Sequence, residues 1–240
     1  MFLHYTTGGF LVIRPQDDLH WIIDAMLGTG YDEEFCLSDN FEPDFIARLM
    51  EAGFLVMSSR FADDDASAGA EDFFLLLPKL HLRRSILLFK NLHIKKSIKR
   101  YLDRFELRFD ADFDRIVDRC IELHGDQWLT PPLVAAIRHI RQNGLHGRRA
   151  YPASFALYEN GKLVAGEFGV IVGRVYTSYS GYFDVSNAGT VQLILATRYL
   201  QEHGFDFFDL GMPLDYKTDL GATDISPQEF VELFREAQAE

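Results

Sequence analysis

The sequence is short of cysteine, tryptophan and long apolar runs, and each shortage excludes something. Cys36 and Cys120 are the only cysteines in 240 residues. Two thiols make no disulfide framework, and without a nearby His/Cys cluster they make no zinc site; they read as reduced cytosolic thiols. The eight histidines show no H-E-x-x-H or similar spacing, and no G-x-S-x-G or Walker pattern is present. No apolar run approaches the roughly 18–20 residues that span a bilayer. The start, Met1 to Arg14, has no basic stretch leading into an apolar one. Neither a membrane span nor a signal peptide is expected, nor a metal site.

What is plentiful is aromatic residue and acid. Phe occurs 21 times against 2 Trp, and the net charge is −12. Taken alone, that charge opposes a nucleic-acid partner. Its distribution reverses the argument. From Lys79 to Arg104 there are nine basic residues and one acid, Asp103, while the other 214 residues hold 15 basic and 35 acidic residues. A basic segment on an acidic body is the electrostatic footprint of a phosphate-bearing partner. The plain alternative is a solvated helix face.

The periodicity predicts a small mixed region first. Leu19, Ile22, Ile23 and Met26 share a helix face, and Asn40 or Glu42-Pro43 opens a second helix that ends at Gly53. Residues 61–72 are small and acidic and read as an exposed loop. Leu92 to Leu102 reads as a basic helix with Ile94 and Ile98 inward, and Asp112 to His124 as an amphipathic helix. Thr130 caps the next helix, with Pro131 at its first position. The remainder orders as a hairpin (Ala153–Tyr158, Leu163–Val172), a third strand (Val175–Phe183), a helix capped by Asn187, a strand (Phe205–Leu210) and a last helix opened by Ser226. A parallel return through a helix implies α/β layering. The division expected is a small N-terminal domain over 1–72, its boundary extending to about 105, and a larger domain over 73–240 that carries the basic helix 92–102.

Several segments resemble one family. Leu92-His93-Ile94-Lys95-Lys96-Ser97-Ile98-Lys99-Arg100 is similar to the "LHVSRSLRK" segment of leucyl/phenylalanyl-tRNA–protein transferases, and Gln127-Trp128-Leu129-Thr130 to their "TWIT". Gly161 to Val170 resembles "GELVGGLYGV", Asn187-Ala188 falls at "NAS", and Asp209 with Asp219 to Ile225 resembles "DCQ" followed by "SLGAxEI". The match runs in consistent order over residues 42–235. It departs at the "GESMFS" Glu, which is Tyr179 here, and at the "DCQ" Gln, which is Gly211.

The resemblance implies an N-acetyltransferase-like C-terminal domain of α+β or α/β class and a cytoplasmic aminoacyltransferase acting within the N-end rule. It implies transfer of leucine or phenylalanine from an aminoacyl-tRNA to the N-terminal α-amine of an acceptor protein or peptide, with no cofactor, metal or membrane. Carried over residue by residue, it makes Asp209 catalytic. It assigns Trp128, Tyr179, Ser180, Tyr182, Asn187 and Gly211 to the substrate, and Arg84, Lys90, Lys95, Lys96, Lys99 and Arg100 to the tRNA. Asp209 also has a plain reading, a strand-end carboxylate that caps a loop or binds Lys217. Two other functions share the fold. One is a non-catalytic tRNA- or protein-binding module. The other is an acyl-CoA-dependent N-acyltransferase, against which the lack of a Q/R-x-x-G-x-G/A phosphate loop counts, since Arg141 to His146 begins that pattern but ends in His. Oligomeric state has no signal in these residues.

Overall fold

The structure, a computed structural model, describes residues 3–61 and 73–239. The loop expected over 61–72 lies, from 62 onward, outside those residues. In chain order the elements are β1 (His4–Tyr5), β2 (Leu11–Val12), α1 (Leu19–Thr29), α2 (Pro43–Ala52), β3 (Leu55–Phe61), β4 (Phe73–Lys79), β5 (Arg84–Leu87), α3 (Lys96–Lys99), β6 (Glu106–Phe109), α4 (Phe113–His124), α5 (Pro131–Asn143), β7 (Tyr151–Glu159), β8 (Lys162–Val172), β9 (Val175–Phe183), α6 (Ala188–Glu202), β10 (Phe207–Gly211), α7 (Asp215–Asp219), β11 (Thr223–Ile225) and α8 (Pro227–Glu236). They fall into two compact units, Met1–Leu82 with His124–Arg148, and Arg83–Leu123 with Arg149–Glu240.

The first unit packs its helices through the faces that the sequence spacing marks. Leu19, Ile22, Ile23 and Met26 of α1 are buried, as are Phe45, Ile46, Leu49 and Met50 of α2. The Asp18 carboxylate accepts the backbone N–H groups of His20 and Trp21, and Gly30 ends α1 in the left-handed conformation. β3 and β4 pair as an antiparallel ribbon. Thr130 sits before α5 as expected, but its hydroxyl does not cap the helix. It lies 2.8 Å from the Ser58 hydroxyl, itself bonded to the Trp128 carbonyl, so a partner distant in sequence outcompetes the local backbone.

The second unit is a seven-stranded sheet in the order β11-β5-β10-β9-β8-β7-β6. It is antiparallel throughout except for β9 and β10, which run parallel with α6 between them. This is the helix-linked parallel return that the pattern implies. The chain is thus a mixed α/β protein with a large, mostly antiparallel sheet. One face of the sheet packs on α6: Tyr176, Phe155, Phe208 and Leu87 meet Ala196 and Leu200 in one core cluster. The other face takes α4, where Phe113 meets Phe168 edge-on, and α8, where Phe230 meets Phe207 edge-on. A Cβ on Gly166 would lie 2.7 Å from Ile116 of α4, so glycine there sets how closely that helix approaches.

The basic segment differs from the expected continuous helix. Only Lys96–Lys99 is α-helical, between two short 3-10 turns. Four positive charges crowd Lys95 to Arg100, no side chain caps the helix, and Ile98 leans on a core cluster with Leu157 and Val164. Tertiary packing therefore sets this backbone, and helix propensity does not.

Candidate functional site

β9 and β10 pair from Phe207↔Val175 to Asp209↔Thr177 and then part. β9 runs on to Phe183 along β8, while β10 turns away at Gly211, which sits at φ 71°. Diverging C-terminal ends of parallel strands open a crevice, the usual ligand position in α/β sheets. Past these two strand ends, Phe183, Met212, Leu214 and Tyr216 are all exposed. Large apolar side chains left to water beside a crevice mark a surface that something covers.

Beneath the crevice lies a saturated ion pair. Arg84 and Asp209 are 1% and 0% exposed at their side chains. Arg84 Nε donates to Asp209 Oδ1 at 2.9 Å and its Nη2 to Oδ2 at 2.5 Å. Thr177 Oγ1 donates to Oδ2 at 2.8 Å, and the Gly211 N–H to Oδ1 at 3.0 Å. The guanidinium stacks 3.8 Å from the Phe230 ring. Each Asp209 oxygen therefore accepts from two donors, which is what holds a buried carboxylate charged and in place. Its partner is Arg84, so the sequence's alternative of a Lys217 contact is not how it is held. Lys217 instead donates from Nζ to the carbonyls of Leu210 and Met212 at 2.5 and 2.8 Å. Burial lowers its pKa to about 8, against the raising pull of Asp209, Glu167 and Asp224.

On the α6 face of the same strands lies a second buried carboxyl. Glu167 is 3% exposed, and burial pushes its pKa up to about 7, opposed by Ser178, Gln192 and Lys217. The Ser178 hydroxyl donates to Glu167 Oε2 at 3.1 Å, while Oε1 has no hydrogen-bond partner. Tyr176 OH and Gln192 Nε2 are also buried without one. Gln192 lies near enough to weigh on Glu167's ionisation without a hydrogen bond of normal geometry from its Nε2.

The residues singled out from the sequence are placed unequally. Asp209, Gly211, Tyr179, Ser180, Tyr182 and Asn187 all belong to the second unit, on or next to the parting strands. A register shift between Phe168 and Gly169 leaves Tyr179 as the extra residue of β9. The bulge makes the residues on either side of it swap faces. Tyr176 points to α6, whereas Tyr182 is buried with Arg119 of α4 5.3 Å from its ring. Asn187 precedes α6 at φ 67° without a side-chain cap, a correction to the capping role expected. Trp128 belongs to the other unit and is half-buried. Of the expected tRNA contacts, Lys90, Lys95, Lys96, Lys99 and Arg100 are exposed, with Lys95 paired to Asp219 at 2.5 Å. Arg84 is the exception: buried against Asp209, it is not a surface cation, and the reading of it as a tRNA contact is corrected.

Glu167 has no role in the pattern of the sequence, and Lys217 enters there only as a partner for Asp209. Glu167 had a signal, being the one charge between Lys162 and Arg174 in an apolar strand, at the position where the quoted family segment has Leu. Among the described residues, no three His, Cys, Asp or Glu side chains gather as a metal site, and no helix is long and apolar enough to cross a membrane.

The sheet defines a mixed α/β protein, mostly antiparallel, with one parallel strand pair that parts at its C-terminal ends. Residues 86–235 match the family model described as leucyl/phenylalanyl-tRNA protein transferase, and the chain belongs to that family. A leucyl/phenylalanyl-tRNA–protein transferase of Pectobacterium atrosepticum is 28% identical over 152 residues, covering 62% of this chain and 62% of the relative. One of Campylobacter jejuni is 25% identical over 194 residues, covering 81% and 85%. The match thus spans less than two thirds of the Pectobacterium relative. Among solved structures, L-PGS from Bacillus licheniformis aligns over 99% of this chain and 89% of its own, with 12% identity and a TM-score of 0.42.

Proposed function

We propose that this chain transfers an amino acid, leucine or phenylalanine by family, from an aminoacyl-tRNA to the α-amine of a protein or peptide in the cytoplasm. The observation that carries the reading is the family match over residues 86–235, which spans the whole of the parting strand pair. The parallel β9–α6–β10 unit supports an N-acetyltransferase-type sheet. Tyr179, Ser180, Asn187 and Gly211 lie where its crevice would hold the aminoacyl end, with the buried Tyr182 behind them. Trp128 is kept as a donor-pocket residue on the family resemblance alone. The ester of an aminoacyl-tRNA is already activated, so the protein's share of the work is positioning and electrostatics.

Asp209 contributes by holding Arg84, Thr177 and the Gly211 turn in one geometry. With all four of its acceptor positions taken, it acts as a positioning residue. Exposed Lys90, Lys95, Lys96, Lys99 and Arg100 supply sequence-independent phosphate contacts.

The test is transfer of radiolabelled leucine, phenylalanine and other amino acids from their tRNAs to peptides of varied N-terminus. Transfer with a preferred pair supports the reading and identifies the substrates. Binding of tRNA with no transfer from any pair refutes it in favour of a binding module.

A further inference from the structure

Buried polar atoms in folded proteins are almost all hydrogen-bonded, so a fully buried carboxyl with an unpartnered oxygen needs a reason. Glu167 is such a group, and it stands beside two more unpartnered atoms, Tyr176 OH and Gln192 Nε2. Its place matters more than its isolation. Glu167 pairs across the ladder with Gly181, and its carboxyl accepts from Ser178, the first β9 residue beyond the last β10 pair. Ser178 is half-buried, at the root of the crevice. Glu167 and Ser178 thus link the interior of the sheet to the point where the two strands part.

The carboxyl needed for proton transfer at this crevice is not Asp209, whose oxygens are fully occupied on the opposite face of the sheet.

Resting on the transferase reading above, we propose that Glu167, acting through the Ser178 hydroxyl, receives the proton that the acceptor amine loses during transfer. The amine nitrogen attacks the ester carbonyl carbon of the aminoacyl-tRNA. A carbon–nitrogen bond forms, and the bond from that carbon to the terminal ribose oxygen breaks. The amine proton passes by way of Ser178 to Glu167, which returns a proton through the same hydroxyl to the leaving ribose oxygen. No other reactant is consumed. A carboxyl whose pKa lies near 7 can hold and release a proton at working pH, where an ordinary Glu holds none. The groups that act on it are Ser178 from β9, Gln192 from α6 and Lys217 from α7, and its own charge raises the pKa of Tyr176 on β9, Tyr216 on α7 and Cys120 on α4. Of these, Lys217 is the one cation, and it favours the ionised form.

The experiment compares the full chain with its Glu167→Gln and Ser178→Ala variants. Single-turnover transfer from leucyl- and phenylalanyl-tRNA to Arg-initiated and other peptides is measured between about pH 5.5 and 9. In the wild type, two rising inflections are expected, one near Glu167's pKa and one from the acceptor amine at about 8. Glu167→Gln is expected to lose the lower inflection and about 100-fold in rate at neutral pH, and Ser178→Ala to shift the same inflection. A Gln variant that keeps the wild-type rate, or loses rate equally at every pH with the profile intact, overturns the proposal while leaving the transferase reading standing. A wild type that transfers with no pair overturns both. Should the Gln variant not fold, NMR titration of isotope-labelled glutamate in the wild type decides. A carboxyl that titrates near neutrality and moves in Ser178→Ala supports the proposal, and none between about pH 6 and 8 overturns it.

Discussion

Glu167→Gln should make the protein more stable while removing its proton acceptor. An ordinary Glu titrates at 4.5, and burial raises Glu167 to about 7. Between those values the folded protein binds a proton that the unfolded chain has released, so stability falls as pH rises through this window and is level above it. At 1.36 kcal/mol per pKa unit, the full penalty is about 3 kcal/mol, most of which develops between pH 5 and 8. Gln keeps the size of the side chain and an oxygen for the Ser178 hydroxyl, and it does not ionise. The variant should therefore gain about 2–3 kcal/mol on the wild type at pH 8 relative to the difference at pH 5, a shift of roughly 5–10 °C in Tm. Comparing the two proteins at each pH cancels the other titrating groups. Urea unfolding followed by circular dichroism is the assay. A stability difference that is the same at both pH values, or a Gln variant less stable at pH 8, would refute the burial argument for Glu167.

Asp209→Ala should destabilise by about 3–5 kcal/mol, because it strands the buried Arg84 charge, whereas Arg84→Met with Asp209→Leu should recover most of that loss; thermal melts separate the two, and lost transfer in Asp209→Ala counts as catalytic only if the variant is folded. Replacing Lys96, Lys99 and Arg100 with Ala should weaken tRNA binding uniformly across tRNAs and flatten its salt dependence by about one log–log slope unit per lost phosphate contact, as filter binding over a salt series would show. Gly221→Ala should cost about 1–3 kcal/mol, because Gly221 sits at φ 98° and a Cβ there would lie 2.0 Å from the Asn91 carbonyl oxygen; a melt unchanged by the substitution would contradict the close approach. Ser226→Ala should cost about 1 kcal/mol by removing the capping box of α8, measured by denaturant midpoint.

The local signals were legible wherever residues near in sequence decide the outcome. β9 spans Val175–Phe183 with the bounds expected, and Ser226 with Glu229 forms the capping box that its spacing announced. The parallel return through α6 followed from element order alone. Local rules failed where a distant partner took over. Thr130 bonds Ser58 in place of its own helix, and the basic helix shrank to four residues. β6 and β11, the edges of the sheet, were missed because each is a strand of three or four residues without distinctive alternation.

By itself the sequence carried the family, through the order of its short motifs, and the mixed α/β class and the basic segment, because periodicity, capping and charge clustering are properties of nearby residues. Only the tertiary structure decided what each charged side chain does. Arg84 stands in sequence at the head of a surface-like basic run, yet the β5–β10 pairing carries it inside to Asp209, 125 residues away. Glu167 looks like an ordinary strand charge until the sheet buries it beside Ser178. Burial and the partners that accompany it come from chain segments far apart in sequence, and they set whether a charge contacts solvent, braces the fold or holds a proton.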